Sequence, residues 1–100
     1  MAVAFIQEFA IVDGDTSTKN YDSVANEIGE GPIDGLICHS AGFDHDAGVF
    51  RIFDVWESGD AAKRFYEQQL DPIVQRLVMS DPTATPPQRE STYDLHHVVR

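Results

Sequence analysis

From Leu36 to Leu70 the chain reads as an apolar hairpin that runs into a two-sided helix. In that stretch Leu-Ile-Cys-His-Ser-Ala-Gly-Phe (36–43) and Val-Phe-Arg-Ile-Phe-Asp-Val-Trp (49–56) flank a polar turn, Asp44-His45-Asp46-Ala47-Gly48. Both segments place apolar side chains at odd and even positions. That pattern predicts two strands whose sheet is covered on both faces. Helical periodicity begins after Trp56-Glu57-Ser58, where Ser58-Gly59-Asp60 offers two N-cap candidates. Ala61, Ala62, Phe65, Tyr66, Gln69 and Leu70 then follow one stripe, with Lys63, Arg64, Glu67 and Gln68 opposite. Asp71-Pro72 predicts an interruption and a fresh short helix, capped by Asp71 and edged by Ile73, Val74 and Leu77.

Upstream, Val3 to Phe9 reads as a first strand ending before Asp13-Gly14-Asp15. Ser17 or Thr18 caps a first helix whose Tyr21, Val24, Ala25 and Ile28 share one face, and Gly29-Glu30-Gly31-Pro32 stops it. Downstream, Ser80 to Arg89 is a proline-rich extended connection, and Thr92 to Val99 predicts a fourth strand. The order is β-α-β-β-α-β, the split βαβ pattern of ferredoxin-like α+β domains, and residues 1–100 read as a single domain. Right-handed crossovers put both helices on one side of a four-stranded antiparallel sheet. The other face would present apolar residues from every strand, a patch that soluble monomers seldom leave wet. Two sheets packed face to face, as a homodimeric α/β barrel, hide it.

Charge narrows the partners. Seventeen acidic residues stand against seven basic ones, a net −10, so neither nucleic acid nor an anionic membrane surface is expected as a partner. The first residues lack the basic leader of a signal peptide, and no apolar run is long enough to span a bilayer. Cys38 is the only cysteine; in an apolar strand it reads as a buried reduced thiol, which suits the cytoplasm. Phosphate loops, nucleophile elbows and zinc helices are missing from the sequence.

Phe53-Asp54-Val55-Trp56-Glu57-Ser58, followed by Ala61, Ala62 and Phe65, resembles the end of strand three and the start of helix two in the dimeric α/β-barrel superfamily. The closer resemblance is to its antibiotic-biosynthesis-monooxygenase-like group. This implies a homodimer, a pocket between helices and sheet in each subunit and, in some members, oxygen chemistry on electron-rich aromatic or quinol-like molecules without metal or flavin. Members with a helix-two histidine would place it at Phe65, and the haem-degrading relatives' histidine aligns with Gln75. Haem therefore has no axial ligand on that helix, and no cofactor is expected. Gln7 is the loose counterpart of a first-strand pocket asparagine.

The candidate chemistry centres on Asp54 and His39. Strand alternation puts Asp54 on the face of Phe50, Ile52 and Trp56; if helices cover that face, burial would suit the carboxylate to proton abstraction. An edge position, or pairing with Arg51, His39 or a backbone donor, is the structural alternative. His39 is expected to pair near Ile52 to Phe53, where a one-residue shift moves it between faces. On the helix side it would form an acid/base pair with Asp54 able to deprotonate a phenol or enol. Trp56, Gln7, Phe65 and Tyr66 are the candidate binding residues, with Trp56 and Phe65 equally suited to the core and Tyr66 able to orient a substrate through its hydroxyl. His96 and His97, adjacent on the fourth strand, would point to opposite sides and cannot chelate one ion. The Asp44-His45-Asp46 turn is better suited to backbone bonding than to metal, and no metal site is expected. Two functions stay open: a cofactor-independent monooxygenase, isomerase or cyclase acting on an aromatic small molecule, and a non-catalytic ligand-binding or dimerisation module.

Overall fold

The computed structural model describes residues 1–81 and 84–100. Its elements are β1 (Val3–Ala10), α1 (Lys19–Ile28), β2 (Leu36–Asp44), β3 (Val49–Trp56), α2 (Gly59–Phe65), a π-helical segment (Tyr66–Leu70), α3 (Asp71–Ser80) and β4 (Arg89–Asp94). The strands form one antiparallel sheet in the order β2-β3-β1-β4. This is the ferredoxin-like β-α-β-β-α-β arrangement.

The hairpin and its register set the site. Asp44 pairs with Val49, and the loop between them closes with Gly48 at φ 70° while Asp44 Oδ1 accepts from Ala47 N–H at 3.0 Å. Counting back from this turn pairs His39 with Asp54, beyond the Ile52 to Phe53 expected from sequence. Between Leu36 and Cys38 the register slips, so Ile37 is the extra residue of a β-bulge. The bulge lets Leu36, opposite Trp56, and His39, opposite Asp54, lie on one face although their numbers differ in parity.

That face meets the helices. Trp56, Ala61, Ala62 and Phe65 form the buried cluster, with Val3, Phe5, Ile28, Ile33, Leu36, Tyr66 and Leu70 packed around it. Ser58 caps α2, its Oγ accepting from Ala61 N–H at 3.1 Å. Gly35, at φ 82°, permits the tightest approach: a Cβ there would sit 2.5 Å from the Ala61 Cβ. α1 lies beside α3, joined at the surface by Arg76 and Glu27 at 3.5 Å.

Several expectations change. The chain does not break at Asp71-Pro72. Leu70 and Asp71 keep helical dihedrals, Asp71 makes no capping contact, and its N–H reaches the Tyr66 carbonyl five residues back. A π turn widens the helix just where Pro72 would otherwise clash with the preceding turn and leave a carbonyl without a donor. The fourth strand lies earlier than Thr92 to Val99, because the pairing partners along β1 run out at Asp94. His96 and His97 therefore follow the strand rather than alternating along it. The proline-rich connection contains Pro82 and Thr83, which lie outside the described residues.

The uncovered face is less apolar than expected. By alternation it carries Ala4, Ile6, Phe53, Val55, Cys38 and Tyr93 at one end, and Glu8, Arg51, Asp44 and Arg89 at the other. β2 and β4 contribute mostly polar or small residues, so the apolar part is confined to the two central strands and Tyr93. Cys38 is exposed in the single chain, not buried. Arg51 is bound there by Glu8 Oε2 at 2.6 Å and by Asp44 Oδ2 at 2.9 Å.

Candidate functional site

Among the described residues Asp54 is the only charged one that is buried, 5% exposed, and it sits on β3 under the helices. Burying a carboxylate requires hydrogen-bond donors around it, and the fold supplies them from two sides. His39, across the hairpin, brings Nδ1 to Asp54 Oδ1. Tyr66, at the start of the π segment, donates its hydroxyl to Asp54 Oδ2 at 2.9 Å. A third group completes the chain: the Tyr21 hydroxyl, from the first turn of α1, lies 2.6 Å from His39 Nε2. Four side chains from four elements are thus linked in the order Tyr66, Asp54, His39, Tyr21.

The chain runs from the interior to the surface. The Asp54 side chain is 7% exposed and that of His39 39% exposed. With a neutral imidazole, Nδ1–H donates to Asp54 and Nε2 is left as an acceptor for the Tyr21 hydroxyl. The hydrogen bond to Asp54, with that residue's negative charge, raises the His39 pKa against the opposing effect of burial. Burial, reinforced by Asp54, pushes the Tyr66 phenol far above its ordinary value, so it serves as a donor and not as a base. Tyr21 is raised as well, by burial and then by Asp54 and Asp22.

Aromatic rings enclose these groups. Phe5 lies 4.7 Å from Tyr66, ring centre to ring centre, and Phe50 lies 5.5 Å from Tyr21 in an edge-on contact. Phe43 stands 4.9 Å from Phe50. Trp56 packs on Phe65 at 5.3 Å and on Tyr66 at 6.1 Å.

The other sequence candidates divide. Trp56 is 1% exposed and Phe65 is buried beside it, so both are core residues rather than ligand walls in this structure. The Trp56 indole N–H has no acceptor in hydrogen-bonding geometry; its nearness to the Tyr66 hydroxyl only partly offsets the rise there. Gln7 lies on the helix-side face but pairs with Ile52, and its amide donates to Glu90 Oε1 at 3.2 Å. Tyr21 was placed by sequence only on the buried stripe of its helix; no local motif ties it to His39, 18 residues away. A hollow of about 100 Å³ lies between α2 and the segment leading into β2, lined by Ile33, Asp34, Ala61, Arg64 and Gln68, with the edge of Phe65 reaching it. A second, of about 260 Å³, opens beside Arg51 and Phe53. Neither contains a member of the Asp54 chain. Among the described residues no three His, Cys, Asp or Glu side chains converge to hold a metal ion, and no helix is long and apolar enough to cross a membrane.

No family model matches the chain, and no curated protein matches it. Solved structures do. A Chloroflexus aurantiacus protein provisionally described as an antibiotic biosynthesis monooxygenase superposes with a TM-score of 0.68 at 13% identity, covering 100% of this chain and 98% of that one. A variant of SnoaB, a cofactor-independent oxygenase from Streptomyces nogalater, gives 0.63 at 16% identity, covering 98% and 96%. Rv0793 from Mycobacterium tuberculosis gives 0.69 at 13% identity over the whole of both chains. At such identities the likeness is one of fold: this chain shares its ferredoxin-like architecture with a protein described as an antibiotic biosynthesis monooxygenase and with a cofactor-independent oxygenase.

Proposed function

We propose that this protein is a small cofactor-independent oxygenase, acting as a homodimer on an aromatic, quinol-like molecule. The observation that carries the reading is the linked Asp54 and His39, one buried and the other reaching solvent. In this arrangement His39 is the base. Its Nε2 takes the proton of a phenol or enol, Nδ1–H stays on Asp54, and the carboxylate stabilises the imidazolium that forms. Tyr66 holds the second carboxylate oxygen and so fixes the orientation of the pair. The electron-rich anion left behind is a reductant for dioxygen. In such a reaction a ring C–H carbon para to the hydroxyl takes one oxygen atom and becomes C=O, the phenolic carbon becomes the second C=O, and the other oxygen leaves as water with the C–H and O–H hydrogens. The fold shared with SnoaB supports oxygen as the co-substrate.

The open sheet face supports the homodimer. The ring contacts from α1 and the π segment fall on the opposite face, leaving Tyr93 49% exposed beside Phe53 and Ile6. The same face carries both signs of charge, in Arg51 and Arg89 and in Glu8 and Asp44, as a self-pairing surface requires.

The test is turnover of a hydroquinone and anthrone panel with purified protein, in air and under anaerobic conditions. Oxygen-dependent turnover that falls at least about a hundredfold in His39→Ala and in Asp54→Asn is expected, the usual scale of a lost general base. No turnover, or turnover unchanged by these substitutions, overturns the assignment.

A non-catalytic ligand-binding module is the second reading. It is favoured by Phe65, which stands where the resemblance implies a helix-two histidine. Stabilisation by aromatic ligands in a thermal-shift screen, without turnover, would select it.

A further inference from the structure

If His39 is the proton acceptor, its working atom is Nε2, because Nδ1 is held by Asp54. In the structure that atom is already occupied by a phenol, the side chain of Tyr21, at 2.6 Å. The same ring rests edge-on against Phe50, which itself packs on Phe43. The pieces a hydroxy-aromatic ligand would need are therefore all present and engaged: an acceptor for its hydroxyl and an aromatic wall for its ring.

The element carrying Tyr21 is weakly held. None of the α1 residues is buried, and its N-cap, Thr18, makes no side-chain capping bond; the Thr18 hydroxyl instead donates to Asp22 Oδ2 at 2.8 Å. Tyr21 lies in this first turn, whose side-chain support is a 3.3 Å bond from Lys19 N–H to Ser17 Oγ. A helix end with weak capping and no buried side chains opens at low free energy. Moving Tyr21 aside thus costs one hydrogen bond and two ring contacts, edge-on with Phe50 at 5.5 Å and parallel to His39 at 6.1 Å, which an incoming phenol can replace.

We propose that Tyr21 is a displaceable placeholder for a phenolic ligand, and that its phenol defines the site's specificity: one aromatic ring bearing a free hydroxyl, bound on His39 Nε2 and against Phe50. This rests on the reading of His39 as the acceptor and deepens it. Ligands whose hydroxyl is methylated, or which lack one, cannot replace the Tyr21 contact and leave His39 paired with the protein's own phenol. The intramolecular bond also keeps Nε2 engaged until a ligand of the right type competes for it.

The experiment is direct binding, by calorimetry, of phenol and of toluene to the wild-type protein, Tyr21→Phe, Tyr21→Ala, and Tyr21→Ala with His39→Phe. Tyr21 is only partly buried and alanine is the best helix former; retained helix and sheet content by circular dichroism verifies folding in each variant. Phenol is expected to bind Tyr21→Phe at least about fivefold more tightly than wild type, equivalent to about 1 kcal/mol, and Tyr21→Ala more tightly again. The added His39→Phe change should abolish the gain, and toluene should gain less than twofold in Tyr21→Phe. Equal phenol affinity in wild type and both single variants overturns the proposal. So does a toluene gain as large as that of phenol, which would mark a merely apolar hollow. Tighter phenol binding with no hydroquinone turnover leaves the placeholder standing and removes the oxygenase reading; turnover without that gain does the opposite.

Discussion

Asp54 accepts hydrogen bonds on both oxygens, and the consequence is carried by His39. Its pKa is raised by the bond to Asp54. A histidine with a folded-state pKa above the ordinary value near 6.5 contributes stability that is fully present below that value and lost as pH rises through the folded one. Between the two, the folded protein holds a proton that the unfolded chain has released. The ring protons of His39, followed by NMR across this range, should titrate above 6.5 in the wild type. In Asp54→Asn the midpoint should fall to 6.5 or lower, since burial alone opposes the charge; an unchanged midpoint would contradict the pairing. Asp54 was legible in the sequence as a carboxylate among aromatic residues on one strand face. Its link to Tyr66 was not, because which helical residue meets a given strand position depends on where the helix is docked.

At the scale of elements, one bulge and one glycine matter most. The Ile37 bulge reconciles Leu36 in the core with His39 in the site, and neither composition nor alternation marks it. Gly35 admits α2 against the segment leading into β2 because it has no side chain and takes a left-handed backbone. Gly35→Ala meets both objections, the positive φ and the Ala61 methyl. It should therefore lower stability by about 2 kcal/mol or more, read as a fall in the urea midpoint with the slope unchanged. A loss under 0.5 kcal/mol would mean that α2 is not held this closely. The π turn before Pro72 teaches a related lesson. Proline in a helical pattern predicts a stop, yet a wider turn absorbs it without leaving the helix, and the neighbouring dihedrals show no break.

For the whole molecule, the question is what lies against the open sheet face. Two copies meeting there would bury Ile6, Phe53 and Tyr93 and cover Cys38, which in the single chain is exposed. Sedimentation at micromolar concentration is expected to give twice the chain mass, and Phe53→Glu to give a folded single chain. A wild-type protein that stays monomeric and well folded would remove the shared barrel. The apolar part of this face is narrower than the sequence suggested: Ala4 and Val55 are already shielded within the chain, and β4 brings arginine and serine to this face.

Sequence alone determined the order of strands and helices, the hairpin at Asp44 to Gly48, a helix start within Ser58-Gly59-Asp60 and the shared face of Asp54 and Trp56. Each of these follows from interactions between residues near one another along the chain. Tertiary structure decided that His39 faces Asp54, that Trp56 and Phe65 belong to the core, and that Tyr21 closes on the imidazole. Those contacts join residues 9 to 18 positions apart on different elements, and they depend on register and helix docking, which are properties of the packed whole.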